Sequence, residues 1–202
     1  MPRVVFSFFL LCGLLSEGVE GAMAGIPTVA RNTTMVQEYC QMSNENDCSL
    51  TSLQHDYHKE TIYVKPPPGS GSTCLNGSPY QFTVSPGDPD NVLLYFQGGG
   101  ACWDNLNFVI MPTCTTKAKR HAQRGVFNRN DVRNPYRTWT VVEVLYCTGD
   151  LHIGNAKKKY DNFLFKNTVQ HKGSMNSDLV LDWLIAEKLN LNTFVLMGNS
   201  AG

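Results

Sequence analysis

The sequence predicts an α/β fold, a largely parallel sheet flanked by helices, on three observations. Short apolar runs stop at glycine, the pattern of strands buried on both faces: Val92 to Phe96 (VLLYF) leads into Gly98-Gly99-Gly100, and Thr193 to Met197 (TFVLM) leads into Gly198. Between them, Leu179, Val180, Trp183, Leu184 and Ile185 recur at helical spacing. Strand, helix and strand in succession form a crossover unit, and no linker divides the chain.

Each element has its own reason. Thr61 to Lys65 (TIYVK) is β-branched and alternating, and Pro66-Pro67-Pro68-Gly69 ends it. Tyr80 to Val84 alternates and stops at Ser85-Pro86-Gly87. Val92 to Phe96 follows the turn residues GDPDN. Trp139 to Tyr146 (WTVVEVLY) is a further apolar run, with Glu143 in its middle. The helix spans Asn176 to Leu189, with Asn176 or Ser177 as its cap. Lys157-Lys158-Lys159 reads as a solvated turn, His55 and His58 as residues of a solvated loop, and His171 as a residue at the helix start.

Composition narrows the partners. The 202 residues are 42% hydrophobic, with 17 basic and 17 acidic side chains, so the chain builds no field for nucleic acid or an anionic membrane. Arg3, the apolar stretch Val4 to Leu15 and the small-x-small site Ala22-Met23-Ala24 form a signal peptide over residues 1–24, leaving 25–202 as part of a single domain. An apolar run of about a dozen residues falls short of the roughly 20 that span a bilayer, so no stable membrane anchor is expected. The product is expected to be a monomer that is secreted, extracellular or associated with a cell wall. Cys12 leaves with the leader, and Cys40, Cys48, Cys74, Cys102, Cys114 and Cys147 remain, an even set suited to disulfides. Cys40 with Cys48, and Cys102 with Cys114, would close short loops. Asn32 (NTT) and Asn76 (NGS) are candidate glycosylation sites.

The chemistry collects at strand ends. Gly198-Asn199-Ser200-Ala201-Gly202 is G-x-S-x-G directly after a strand, the context of a sharp turn that lifts a nucleophilic serine above a sheet. Gln97-Gly98-Gly99-Gly100-Ala101 follows an earlier strand, where bare backbone N–H groups can meet an oxyanion. A phosphate cradle would want Lys-Ser/Thr after its glycines, and Ala101-Cys102-Trp103-Asp104 follows instead. Gly99, Gly100 and Ala201 are therefore the candidate donors and Ser200 the candidate nucleophile. Trp103 is a candidate site-lining residue, joined by Asp150 and His152, whose loop leaves the same sheet edge.

The segments NVLLYFQGGGACWD, RGVFNRNDVRNPYRTWTVVEVLYCTGDLHIGN, QHKGSMNSDLVLDWL and FVLMGNSAG, in that order, resemble the pectinacetylesterase family of pectin acetylesterases and Notum-type carboxylesterases. The resemblance runs from about Lys59 to the end. It implies an α/β-hydrolase-type sheet flanked by helices and a secreted serine esterase with a Ser-Asp-His triad, needing no metal or cofactor. Its substrate would be an ester, such as an acetylated polysaccharide. Carried onto this chain, it again places the nucleophile at Ser200 and the oxyanion donors at Gly99, Gly100 and Ala201. The family's acid and base follow the serine. The chain is thus expected to be the N-terminal part of a longer domain, incomplete at the C-terminus, inactive alone, and with TFVLM as an open edge. The alternatives are a binding protein without catalysis on the same scaffold, and a lipid-type esterase or thioesterase.

Overall fold

The computed structural model describes residues 3–7, 39–57, 61–110, 112–161 and 166–202. Asn32, His58 and most of the expected leader lie outside these residues.

Nine strands and two α-helices are present among them: β1 (Arg3–Ser7), β2 (Tyr39–Gln41), α1 (Leu50–Tyr57), β3 (Ile62–Lys65), β4 (Phe82–Ser85), β5 (Asp88–Phe96), β6 (Trp139–Val144), β7 (Ala156–Asp161), β8 (Lys166–His171), α2 (Gly173–Ala186) and β9 (Thr193–Gly198). The main sheet has the order β1-β9-β5-β6-β4-β3-β2. β4 runs antiparallel to both neighbours, while β9, β5 and β6 are parallel. The chain passes from β6 through α2 to β9, so β5 lies between the two strands that this crossover joins. This is the α/β arrangement expected from the glycine-terminated runs.

The two faces of the sheet are covered differently. Val142, Val144, Val92 and Leu94 pack with Val180, Trp183 and Leu184 of α2 and with Leu50 and Leu53 of α1. Trp183 anchors this layer, tilted against Phe82 at 5.4 Å and donating its indole N–H to the Cys48 carbonyl at 3.2 Å. On the opposite face Leu93, Val141 and Val195 are covered by Val126, Phe127, Tyr136 and Trp139. Among the described residues no helix is long and apolar enough to cross a membrane.

Four local expectations are corrected. Lys157, Lys158 and Lys159 form part of β7, which pairs with β8 as an antiparallel ribbon. An exposed ribbon accepts charge, and Tyr160, Val169 and His171 are its buried residues. His171 ends β8, buried, bonded to the Tyr160 hydroxyl at 2.5 Å and the Thr148 carbonyl at 2.8 Å. Asn176 caps nothing: it is buried inside α2, and its amide pairs with both backbone groups of Thr73. The cap comes from Asp150, which accepts the Gly173 N–H at 2.8 Å and places a carboxylate at the positive end of the helix. His55 belongs to α1 rather than to a loop. The outer edge of β9 pairs in parallel with β1, from Arg3↔Thr193 to Ser7↔Met197, a strand that lies within the expected leader.

Three disulfides join Cys40 to Cys48, Cys74 to Cys147 and Cys102 to Cys114. The first and third are the short loops expected, and the second ties the loop after β3 to the end of β6. Loop-closure entropy ranks them. Opening the bridge of sequence separation 73 should cost about 4 kcal/mol, against about 2.5 kcal/mol for that of separation 8. Urea unfolding of the Cys74→Ala/Cys147→Ala and Cys40→Ala/Cys48→Ala proteins should show that order.

Candidate active site

The C-terminal ends of β9, β5 and β6 lie side by side. β9 pairs with β5 through Phe96↔Gly198, so the residues that follow on each strand leave the sheet together. After Gly198 the chain turns sharply, closed by the Gly202 N–H on the Asn199 carbonyl at 2.9 Å. Ser200 sits within it at φ 53°, a left-handed backbone that L-residues rarely adopt, with its side chain exposed.

The glycines around it are needed for close approach. A Cβ on Gly98 would lie 2.4 Å from the Asn199 carbonyl oxygen and 2.9 Å from the Ser200 Cβ. A Cβ on Gly202 would lie 2.1 Å from the Phe96 carbonyl oxygen. The elbow and the glycine loop thus touch backbone to backbone. One side-chain bond joins them, from the Gly98 N–H to Asn199 Oδ1 at 2.9 Å.

Three carbonyls of the glycine loop are held from outside it. His152 Nε2 donates to the Gln97 carbonyl (2.8 Å), the Thr115 N–H to the Gly99 carbonyl (2.7 Å), and the Thr113 hydroxyl to the Ala101 carbonyl (2.6 Å). Thr113 and Thr115 flank Cys114, which is bonded to Cys102. Among the described residues, the N–H groups of Gly99, Gly100 and Ala201 donate to no protein acceptor. Three backbone donors on the elbow and the glycine loop are therefore unspent, groups of the kind that can receive a developing oxyanion.

The other sequence candidates take different places. Trp103 is 67% exposed, on a turn in which Asn107 Oδ1 accepts the N–H groups of Trp103 and Asp104. Asp150 is committed to the Thr148 hydroxyl (2.6 Å) and to the start of α2. His152 is buried beneath the glycine loop, edge-on to Phe96 at 5.2 Å and tilted against Tyr146 at 4.8 Å. Tyr146, whose hydroxyl accepts the Leu151 N–H, has its phenol pushed up to about 12, chiefly by burial.

Gln97, His121 and Glu143 were not among the sequence candidates. Glu143, 2% exposed, accepts from the Thr83 hydroxyl (3.2 Å), Gln97 Nε2 (3.2 Å) and His121 Nδ1 (2.5 Å). The Gln97 amide also donates to the Lys119 carbonyl at 2.9 Å and accepts the Tyr146 N–H at 3.0 Å. A carboxylate inside an apolar strand was the visible signal, since a buried charge persists only where donors surround it.

The sheet order, the elbow after β9 and the glycine loop after β5 are those of an α/β-hydrolase-type chain. More narrowly, it belongs to the pectinacetylesterase family, whose sequence profile matches residues 52–202. Two crystal forms of the Wnt deacylase Notum from Drosophila are similar to it in structure. One is 17% identical with a TM-score of 0.42, covering 66% of this chain and 42% of that one. The other is 20% identical with a TM-score of 0.43, covering 66% and 40%. The chain thus spans about two fifths of the length of these structures. Among curated proteins there is no match.

Burial holds the His152 imidazole below the ordinary histidine value, against the opposing pull of the Gln97 carbonyl and of Asp150. The unfolded chain takes up this proton near pH 6.5 and the folded chain resists it, so the stability contributed by neutral His152 is intact above about pH 6.5 and is lost as pH falls below that. Denaturant midpoints measured from pH 7.5 to 5.0 should decline more steeply in the natural protein than in His152→Asn, which tolerates the left-handed backbone and carries no proton.

Proposed function

We propose that the full-length protein is a secreted serine carboxylic-ester hydrolase, a deacetylase or deacylase of the pectin acetylesterase type. The observation that carries this reading is Ser200 at φ 53° on the elbow, with the N–H groups of Ala201 and of Gly99 and Gly100 on the adjoining glycine loop unspent. In this mechanism Ser200 Oγ attacks the ester carbonyl and passes its proton to a histidine oriented by an aspartate. Both residues are expected beyond residue 202. The carbonyl oxygen, now negative, accepts from the three N–H groups. Collapse of the tetrahedral intermediate expels the alcohol, which takes the proton from the histidine, and leaves an acyl-Ser200. Water, deprotonated by the same base, then releases the acid.

Family membership supports ester chemistry, and three disulfides suit an oxidising, extracellular compartment. Asn76 remains a candidate glycosylation site: it is exposed on a turn where its Oδ1 accepts from the Ser78 hydroxyl at 2.7 Å. The acyl group is the open variable, and an acetylated polysaccharide is the substrate proposed.

The test is hydrolysis of p-nitrophenyl esters from acetate to palmitate by the full-length protein. Ser200→Ala should lower acetate turnover by at least about 10³-fold. Undiminished turnover would remove Ser200 as the nucleophile, and a rate that rises steadily toward palmitate would replace the acetylesterase with a lipid-type enzyme.

A further inference from the structure

We propose that His152 is a positioning residue for the esterase reaction, setting the geometry of the glycine loop through the Gln97–Gly98 peptide. The proposal rests on the reading of Ser200 and the glycine loop as catalytic machinery.

Both ends of this one peptide are bonded. Its carbonyl accepts from His152 Nε2 at 2.8 Å, and its N–H donates to Asn199 Oδ1 at 2.9 Å, one residue before Ser200. A continuous path therefore runs from the buried imidazole, through a single amide plane, to the elbow. Hydrogen bonds at the two ends of a peptide polarise and strengthen one another. Residue 97 has little other freedom, because its side-chain amide is fixed by Lys119, Glu143 and Tyr146. The tilt of the 97–98 plane is then decided by His152 on one side and Asn199 on the other. That tilt sets the direction of the next two peptides, which carry the Gly99 and Gly100 N–H groups.

The backbone beneath His152 gives an independent argument. Leu151 and His152 sit at φ 60° and 61°, two successive non-glycine residues in the left-handed region. Each such residue is strained, and a turn built of glycine or asparagine would avoid that strain. Histidine at this position delivers a ring nitrogen to the Gln97 carbonyl from a site packed between Phe96 and Tyr146. The depressed basicity keeps the ring neutral, with its proton on the donating Nε2.

The test uses the full-length enzyme and p-nitrophenyl acetate, with melting temperature followed in parallel. His152→Phe keeps an aromatic ring and removes the donor; His152→Gln returns an N–H at similar reach. His152→Phe should lower kcat about 30-fold with KM within threefold, less than the 10²–10³-fold cost of deleting an oxyanion donor outright. His152→Gln should recover kcat to within about fivefold of the natural enzyme. The positioning role is overturned if kcat in His152→Phe stays within threefold, or if folded His152→Gln is as slow as His152→Phe. Should His152→Phe fail to fold, Asn199→Ala, at an exposed position, removes the bond at the other end of the same peptide. A roughly tenfold fall in kcat is then expected, and an unchanged kcat overturns the proposal. Ser200→Ala separates the two levels: if it retains hydrolysis, the esterase reading fails and this inference with it. Loss in Ser200→Ala beside a natural kcat in His152→Phe removes only the role of His152.

Discussion

The parallel pairing of β5 with β9 is the contact on which the rest of the site depends. Its register sets Phe96 opposite Gly198, so two chains leave the sheet at the same height and must pass each other within van der Waals distance. Side chains are excluded there by space alone, hence the glycines at 98 and 202. A slip of one residue would turn every side chain of β9 to the opposite face, moving Val195 out of the core that it shares with Leu93 and Val141. Hydrophobic burial therefore fixes a register whose consequence is felt several residues later, in polar chemistry.

Around this contact, polar groups are satisfied by donors brought from far along the chain. Glu143 is the costliest of them, a carboxylate within the sheet, and three donors from β4, the glycine loop and the His121 segment offset its desolvation. Glu143 in turn helps to immobilise Gln97, whose amide is also held by the Lys119 carbonyl and the Tyr146 N–H. The buried charge thus contributes order to the loop in addition to surviving its own burial.

What could be read from the sequence and what could not divides along the range of the interactions. Runs such as VLLYF, WTVVEVLY and TFVLM declare themselves because burial on both faces leaves a local mark, and the glycines after them mark the edge where the backbone is crowded. The sharp turn at Ser200 was legible because it needs glycine on either side. The β7–β8 ribbon was not: three consecutive lysines read as solvated, and nothing local shows that the backbone is paired. The start of α2 was misplaced because its cap, Asp150, lies 23 residues before Gly173, while Asn176, a residue type suited to capping, is turned inward to Thr73. The contact made by His152 was hidden for the same reason. Its partner, the Gln97 carbonyl, belongs to the main chain of a loop 55 residues earlier and carries no signature of its own.

The Cys102–Cys114 bridge links the timing of assembly to place. Thr113 and Thr115, which hold two carbonyls of the glycine loop, flank a cysteine whose covalent attachment exists only where thiols are oxidised. Inside a reducing cell the same polypeptide would carry every residue of this site without the cross-link that holds its two halves in register. The final fastening of the loop is then a redox event, set by the surroundings of the chain as well as by its sequence.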